Sequence, residues 1–181
     1  SSAASDVYKR QGADIINDIS GGNLDSNMMK VVGKHQIPYV IMHMKGNPSN
    51  MVKKAKYDDI IGELISYFSK KIDDAGKANI KDIIIDPGFG FGKNLQHNLQ
   101  LFRALPKFIS TGQPILIGIS RKTMVGEITK VKIPSNRTIG SVAFALLAAQ
   151  CGVAFLRVHD ILETKQALLV LESIGLNKDN Q

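Results

Sequence analysis

Three consecutive isoleucines, Ile83 to Ile85, lead into an aspartate and then a loop that alternates glycine with phenylalanine: Asp86-Pro87-Gly88-Phe89-Gly90-Phe91-Gly92-Lys93-Asn94. A carboxylate in such apolar company needs donor partners, because burying an unpaired charge is costly. Two roles suit it. It can cap its own loop, or it can accept two parallel hydrogen bonds from the N–H and NH2 edge of a planar ring such as a pterin or a guanine. Asn17 offers an acceptor and donors to the same kind of ring, and could equally tie adjacent loops together. Glycines allow close backbone approach or positive φ, and Pro87 ends the strand, so the stretch reads as the rim of a binding site.

A second group of residues carries positive charge. Ser120-Arg121-Lys122-Thr123 follows Gly118 and presents a guanidinium, an ammonium and hydroxyls, either to a ligand or to solvent at a strand end. Arg157 and His159 flank Val158, and strand alternation would put both on one side. Together they could clamp a phosphate, the arginine in bidentate fashion, although a structural histidine is the other reading. Two familiar motifs fail. In a Walker A loop the first glycine would fall at Pro87, and Asn94 stands where Ser or Thr is needed; the dinucleotide spacing is also absent. His35, His43, His97 and His159 are dispersed, with no cysteine beside them, which argues against a dedicated zinc site.

The elements that must hold these groups recur along the chain. Five β-branched runs begin at Ala13, Ile37, Lys81, Gln113 and Val153, each of strand length and each ending in polar residues or glycine. Between them lie amphipathic stretches, the clearest at 57–75, where Ile60, Ile61, Leu64, Ile65, Phe68 and Ile72 recur at spacings of three and four. Others are expected at 26–34, 95–109, 137–150 and 161–173. Strand and helix alternate, so the class is α/β with a parallel sheet. Both a doubly wound sheet and a (β/α)8 barrel fit, and in either the chemistry belongs at the carboxyl ends of the strands. The polar residues there are Asn17 and Asp18, His43, Asp86, the Ser120–Lys122 group, and Arg157 with His159.

Composition narrows the ligand. The chain has 181 residues, 44% of them hydrophobic, enough for one domain with its own core. A net charge of +7 suits an anionic ligand. The basic residues are mostly scattered lysines and tryptophan is absent, so a nucleic-acid groove with clustered arginine and stacking aromatics is not expected. Cys151 is the single cysteine, in apolar surroundings, which excludes a disulfide framework and fits a reducing cytoplasm. The longest apolar region, 142–156, is interrupted by Gln150 and Gly152 and is too short to span a membrane. Residues 1–11 have no strand or helix period and no signal-peptide pattern, and are read as a leader or artefact outside the domain, which is placed at 12–181.

The chain resembles the dihydropteroate synthase family. The resemblance rests on "GADIINDISGG" at 12–22, "MHMKGNP" at 42–48, "KYDD" at 56–59, "DPGFGFGKNLQHN" at 86–98, "GISRK" at 118–122 and "RVHD" at 157–160, all in family order. It implies a (β/α)8 TIM barrel, here incomplete, with five βα units equivalent to strands 4–8. The implied reaction joins p-aminobenzoate to 6-hydroxymethyl-7,8-dihydropterin diphosphate, giving 7,8-dihydropteroate and diphosphate in folate biosynthesis. Matched by motif, Asn17, Asp86 and Lys122 would hold the pterin, with Met42 beside it and Gly118 among the substrate-binding positions. Phe91 and Thr123 would lie near p-aminobenzoate. Arg157 and His159 would bind the leaving diphosphate, so that Lys122, Arg157 and His159 carry the catalytic burden.

The resemblance further implies Mg2+, a cytoplasmic setting and a homodimer through the last helices, to which Ala167, Leu168 and Leu171 could contribute. The family's metal-binding Asn belongs to an upstream "NVTPDSF"-like segment that this sequence does not show, so no metal ligand is assigned here. An "STRPG"-like loop and a pterin-binding Asp are likewise not seen. The chain is therefore expected to be a fragment with poor catalysis and loose folding on its own. Two other readings stand beside it: a non-catalytic pterin and diphosphate-binding fragment, and a pterin-binding methyltransferase domain, which would have no diphosphate to hold.

Overall fold

Ile83, Ile84 and Ile85 are buried in the central strand of a parallel array, where β-branched side chains pack on both faces. In the computed structural model, which describes Ala3 and residues 12–51 and 55–175, the strands are β1 (Ile16–Asp18), β2 (Tyr39–Met42), β3 (Ile83–Asp86), β4 (Leu116–Ile117) and β5 (Phe155–Leu156). The expected leader at 1–11 lies, Ala3 apart, outside the described residues. Pairing runs β1-β2-β3 and β4-β5, all parallel, and an Ile85–Ile115 bridge links the two sets, so the strands follow chain order. The α/β class with parallel strands is as expected. Among the described residues no pairing joins β1 to β5, and the barrel is not closed.

The helices are α1 (Met28–His35), α2 (Ile60–Lys77), α3 (Leu95–Arg103), α4 (Leu105–Ile109), α5 (Thr123–Thr129), α6 (Thr138–Gln150) and α7 (Ile161–Ser173), with a 3-10 turn at Pro134–Asn136. Asp59 starts α2 by accepting from the Ile61 and Gly62 N–H groups, satisfying two donors that the first turn leaves free. The helix expected over 95–109 breaks at Ala104, because Pro106 has no N–H to continue the ladder. Helix α5, directly behind the Ser120–Lys122 group, had no apolar period long enough to announce it. Leu64 and Phe68 of α2, Leu101 of α3, Leu105 and Phe108 of α4, and Ile41, Ile85 and Ile115 from the sheet form one apolar core beneath the strand ends.

The strands are shorter than the apolar runs that encode them, and this changes one expectation. Strand β5 ends at Leu156, and its last ladder bond is donated by the Arg157 N–H to the Ile117 carbonyl at 2.8 Å. The Arg157–His159 stretch is already a loop. Strand alternation does not govern where these two side chains point.

Candidate functional site

Asp86 ends β3 with only 1% of its surface exposed. One carboxylate oxygen accepts from the Gly88 N–H at 2.8 Å, and the other from Arg157 Nη2 at 3.0 Å. The second guanidinium nitrogen, Nη1, donates to Asn17 Oδ1 at 3.1 Å. Ends of β1, β3 and β5 thus meet on one guanidinium. The arginine lies flat over Gly118, where a Cβ would come within 2.7 Å of Nη2 and 2.9 Å of Nε. Any larger residue at 118 would push the guanidinium off its seat.

The glycine loop is held by a lysine that sequence reasoning passed over. Lys93 is 8% exposed, and its ammonium donates to the carbonyls of Gly88 and Phe91 at 3.0 Å each, to the His43 carbonyl at 3.2 Å and to His43 Nδ1 at 3.1 Å. Burial, with Lys93 and Lys45 nearby, pushes His43 down to about 3, so the ring is neutral and Nδ1 is an acceptor with the proton on Nε2. Gly88 takes φ 69°, and a Cβ there would strike the His43 carbonyl oxygen. Asn98 completes the brace: its Oδ1 accepts from the Gly90 N–H at 2.8 Å, and its amide donates to the Asn94 and Lys93 carbonyls. The only hint in the sequence was a lone lysine after the glycines and an asparagine in the helix that follows, which look like ordinary surface residues.

Lys122 stands between the two parts of the site. Its ammonium donates to the Phe89 carbonyl and lies 4.6 Å from the Phe91 ring centre, a cation–π distance. Beyond it a cleft of 470 Å3 opens, walled by Phe91, Lys93, Lys122, Thr123, Arg121 and Arg137 among others. Phe91, Lys122 and Thr123 therefore belong to this cleft, while Asn17, Asp86, Gly118 and Arg157 form the neighbouring cluster. Met42 is fully buried opposite Asp86 in the β2–β3 ladder, and Tyr67 donates to its carbonyl.

Burial pushes Lys122 down to about 8, with Asp86 opposing and Arg157 adding to the shift. Lys93 is pushed down to about 7, again by burial, opposed by Asp86 and aided by Lys122. Both ammonium groups titrate near 10.5 when the chain is unfolded. Between those limits the unfolded chain holds protons that the folded one has released, so stability is expected to rise with pH over that window. Affinity for a small anion such as diphosphate is expected to fall as pH rises through about 8, because Lys122 loses its charge. Denaturant unfolding and diphosphate titration across about pH 6.5 to 9.5 should show these opposite slopes.

Other expected residues sit apart. His159 is anchored on a different partner from Arg157: its Nδ1 is 3.0 Å from the Ser120 hydroxyl, and its backbone N–H donates to the same oxygen at 3.2 Å. Arg121 makes a two-point pair with Asp160, joining the loops after β4 and β5. Arg137 ties the same region by donating to the Arg121, Val131 and Lys132 carbonyls. No three His, Cys, Asp or Glu side chains converge among the described residues, and Asp86 is engaged by Arg157 and Gly88. No helix among the described residues is long and apolar enough to cross a membrane.

A carboxylate and an amide bridged by a guanidinium at the carboxyl ends of parallel strands, beside a glycine loop with an aromatic wall, define the class. Residues 2–159 match the family model described as pterin binding enzyme, and the chain belongs to that family. Within it the chain is a homologue of dihydropteroate synthase. It is 41% identical over 172 residues to dihydropteroate synthase of Escherichia coli (strain K12), an alignment that covers 94% of this chain and 60% of that protein. The chain thus spans about 60% of the length of the curated relatives it matches. Among solved structures, dihydropteroate synthase of Thermus thermophilus in complex with 6HMPPP superposes with a TM-score of 0.93 at 36% identity, covering 96% of this chain and 69% of that one. The same enzyme in complex with 4-aminobenzoate gives 0.94 at 36% identity, covering 96% and 68%.

Proposed function

We propose that this chain forms the pterin- and diphosphate-binding part of a dihydropteroate synthase. The observation that carries the reading is the Asp86–Arg157–Asn17 cluster: a buried carboxylate and an amide that can read a planar N–H, NH2 edge, with a cation in contact with both. Structures of relatives with 6HMPPP and with 4-aminobenzoate support it. In the proposed reaction the amino nitrogen of p-aminobenzoate attacks the pterin methylene. The new C–N bond forms as the C–O bond breaks, and the electron pair leaves on diphosphate. The nitrogen then gives up a proton to solvent or to the departing anion.

The residues present serve these demands. Asp86, Asn17 and Lys122 hold the ring, and Phe91 walls the p-aminobenzoate side together with Thr123. Positive charge from Arg157 and Lys122, with His159 nearby, stabilises the diphosphate as it gathers charge. An aniline nitrogen is neutral and needs placement more than a base. With β1 and β5 unjoined among the described residues, the 181-residue polypeptide by itself is expected to bind substrate without efficient turnover. The reading includes a cytoplasmic setting and a homodimer. Leu171 is buried and Ala167 and Leu168 are half-buried, whereas Leu147, Leu169, Val170 and Ile174 are exposed, so these supply the apolar face that a second copy would cover.

The test is calorimetric titration with 6-hydroxymethyl-7,8-dihydropterin diphosphate. Saturable binding that inorganic diphosphate competes away is the expected result. Pterin binding indifferent to diphosphate would favour the methyltransferase class instead, and no pterin binding at all would overturn both.

A further inference from the structure

Arg157 occupies the groups that the proposed function assigns to the pterin ring. Its planar fork of N–H donors is the chemical counterpart of the ring's own N–H, NH2 edge: one nitrogen is on Asp86, the other on Asn17. The two partners of this ion pair are unequally placed. Asp86 is 1% exposed and held by the Gly88 N–H, while 42% of the Arg157 side chain is exposed, so the arginine is the member that can leave. Its seat is shaped for it, since the missing side chain of Gly118 is what lets the guanidinium lie there. Among the described residues Asp86 is the one carboxylate paired with Arg157.

We infer that Arg157 is a specificity-determining residue that makes recognition of the pterin ring depend on the diphosphate. The inference rests on the proposed function and adds a coupling to it. Before a ligand arrives, the arginine stands in for the ring. A pterin without an anionic group must displace the guanidinium and offers it no new partner. A pterin diphosphate carries its own anion, to which the freed arginine turns, so that Asp86 and Asn17 become available to the ring. The site thereby discriminates against free pterins of the same ring chemistry. After transfer the dihydropteroate has lost its diphosphate, and return of Arg157 to Asp86 competes with the product ring and favours its release. By reciprocity, diphosphate tightens the binding of a bare pterin as much as the pterin tightens that of diphosphate.

The test uses 6-methylpterin, which leaves the anion space open, and inorganic diphosphate as separate ligands of the full chain. Saturating diphosphate is expected to tighten 6-methylpterin about tenfold, within the usual range of coupling between sites. In Arg157→Met, 6-methylpterin should bind about tenfold tighter than to the native chain and lose its response to diphosphate, while pterin diphosphate binds more weakly. Gly118→Ala provides a second variant: it unseats the guanidinium without removing it, and should also tighten 6-methylpterin. If Arg157→Met weakens 6-methylpterin, or diphosphate leaves its affinity in the native chain unchanged, the coupling is wrong even though the pterin site stands. If the native chain binds neither 6-methylpterin nor pterin diphosphate, the proposed function falls and the coupling with it.

Discussion

Asp86→Asn is expected to weaken binding of pterin diphosphate about 100-fold while leaving the fold intact. The carboxylate is an acceptor on both oxygens, and the proposed ligand edge presents donors. An amide would turn an NH2 group toward those donors and remove the charge. Hydrogen bonds to a charged group contribute about 1.5–3 kcal/mol, so losing the charged acceptor accounts for about 3 kcal/mol, or two decades of affinity. Stability should change little. The amide oxygen of the variant could still accept from the Gly88 N–H, and a released Arg157, with 42% of its side chain exposed, can reach water. A loss of under about 1 kcal/mol is the corresponding expectation for a pair with one exposed member. Calorimetry with the pterin ligand, alongside denaturant unfolding, reads both quantities. Affinity unchanged in the variant would remove Asp86 from the ring site, and unfolding of the variant would instead assign it to the frame of the loop.

Lys93→Met should have the opposite profile, with its main effect on stability. Methionine fills much of the same volume but leaves the His43 and Phe91 carbonyls and His43 Nδ1 without their shared donor, whereas the Gly88 carbonyl still accepts from the Phe91 N–H. Each buried acceptor left unsatisfied costs about 1–3 kcal/mol, and some relaxation is available, so a total of about 4 kcal/mol is expected. That is large against the roughly 5–15 kcal/mol that holds an ordinary domain together. The loop that carries Phe91 would loosen with it, since Asn98 alone then ties Gly90 to the start of α3. Urea unfolding should show the drop in midpoint, and the remaining folded protein should show faster amide exchange at 88–93. A midpoint close to the native one would mean that water replaces the ammonium without loss, and that the brace lies in the backbone turns.

These two residues sit close together on one loop, yet they differ in how much of their role could be read in advance. Asp86 announces itself: three isoleucines before it and a proline after it state a buried strand end, and a buried carboxylate requires partners. Lys93 does not, because a lysine after glycines has the same local signature whether its ammonium is in water or among carbonyls. The decisive acceptor comes from His43, 50 residues away in sequence. Arg121 shows the same limit from the other side. As part of a positively charged group it suited an anion, but Asp160, 39 residues further on, takes it as a structural partner.

What the sequence determined by itself was the order and type of most elements and the short list of chemically capable residues. Both depend on local pattern: the period of apolar side chains, strand-ending prolines and glycines, and the kinds of group placed at strand ends. The helix split at Pro106 and the short α5 escaped that pattern, one because a single missing N–H interrupts a continuous apolar face, the other because seven residues carry too few periods. Tertiary structure alone decided which capable residues act together. Arg157 meets Asp86 across 71 residues and Asn17 across 140, while His159, two positions along the same loop, takes Ser120 as its partner. The physical reason is that side-chain pairing is set by distance and by competition for buried acceptors. Parallel strands bring their carboxyl ends together however far apart they lie along the chain, and the deepest carboxylate takes the cation that can reach it.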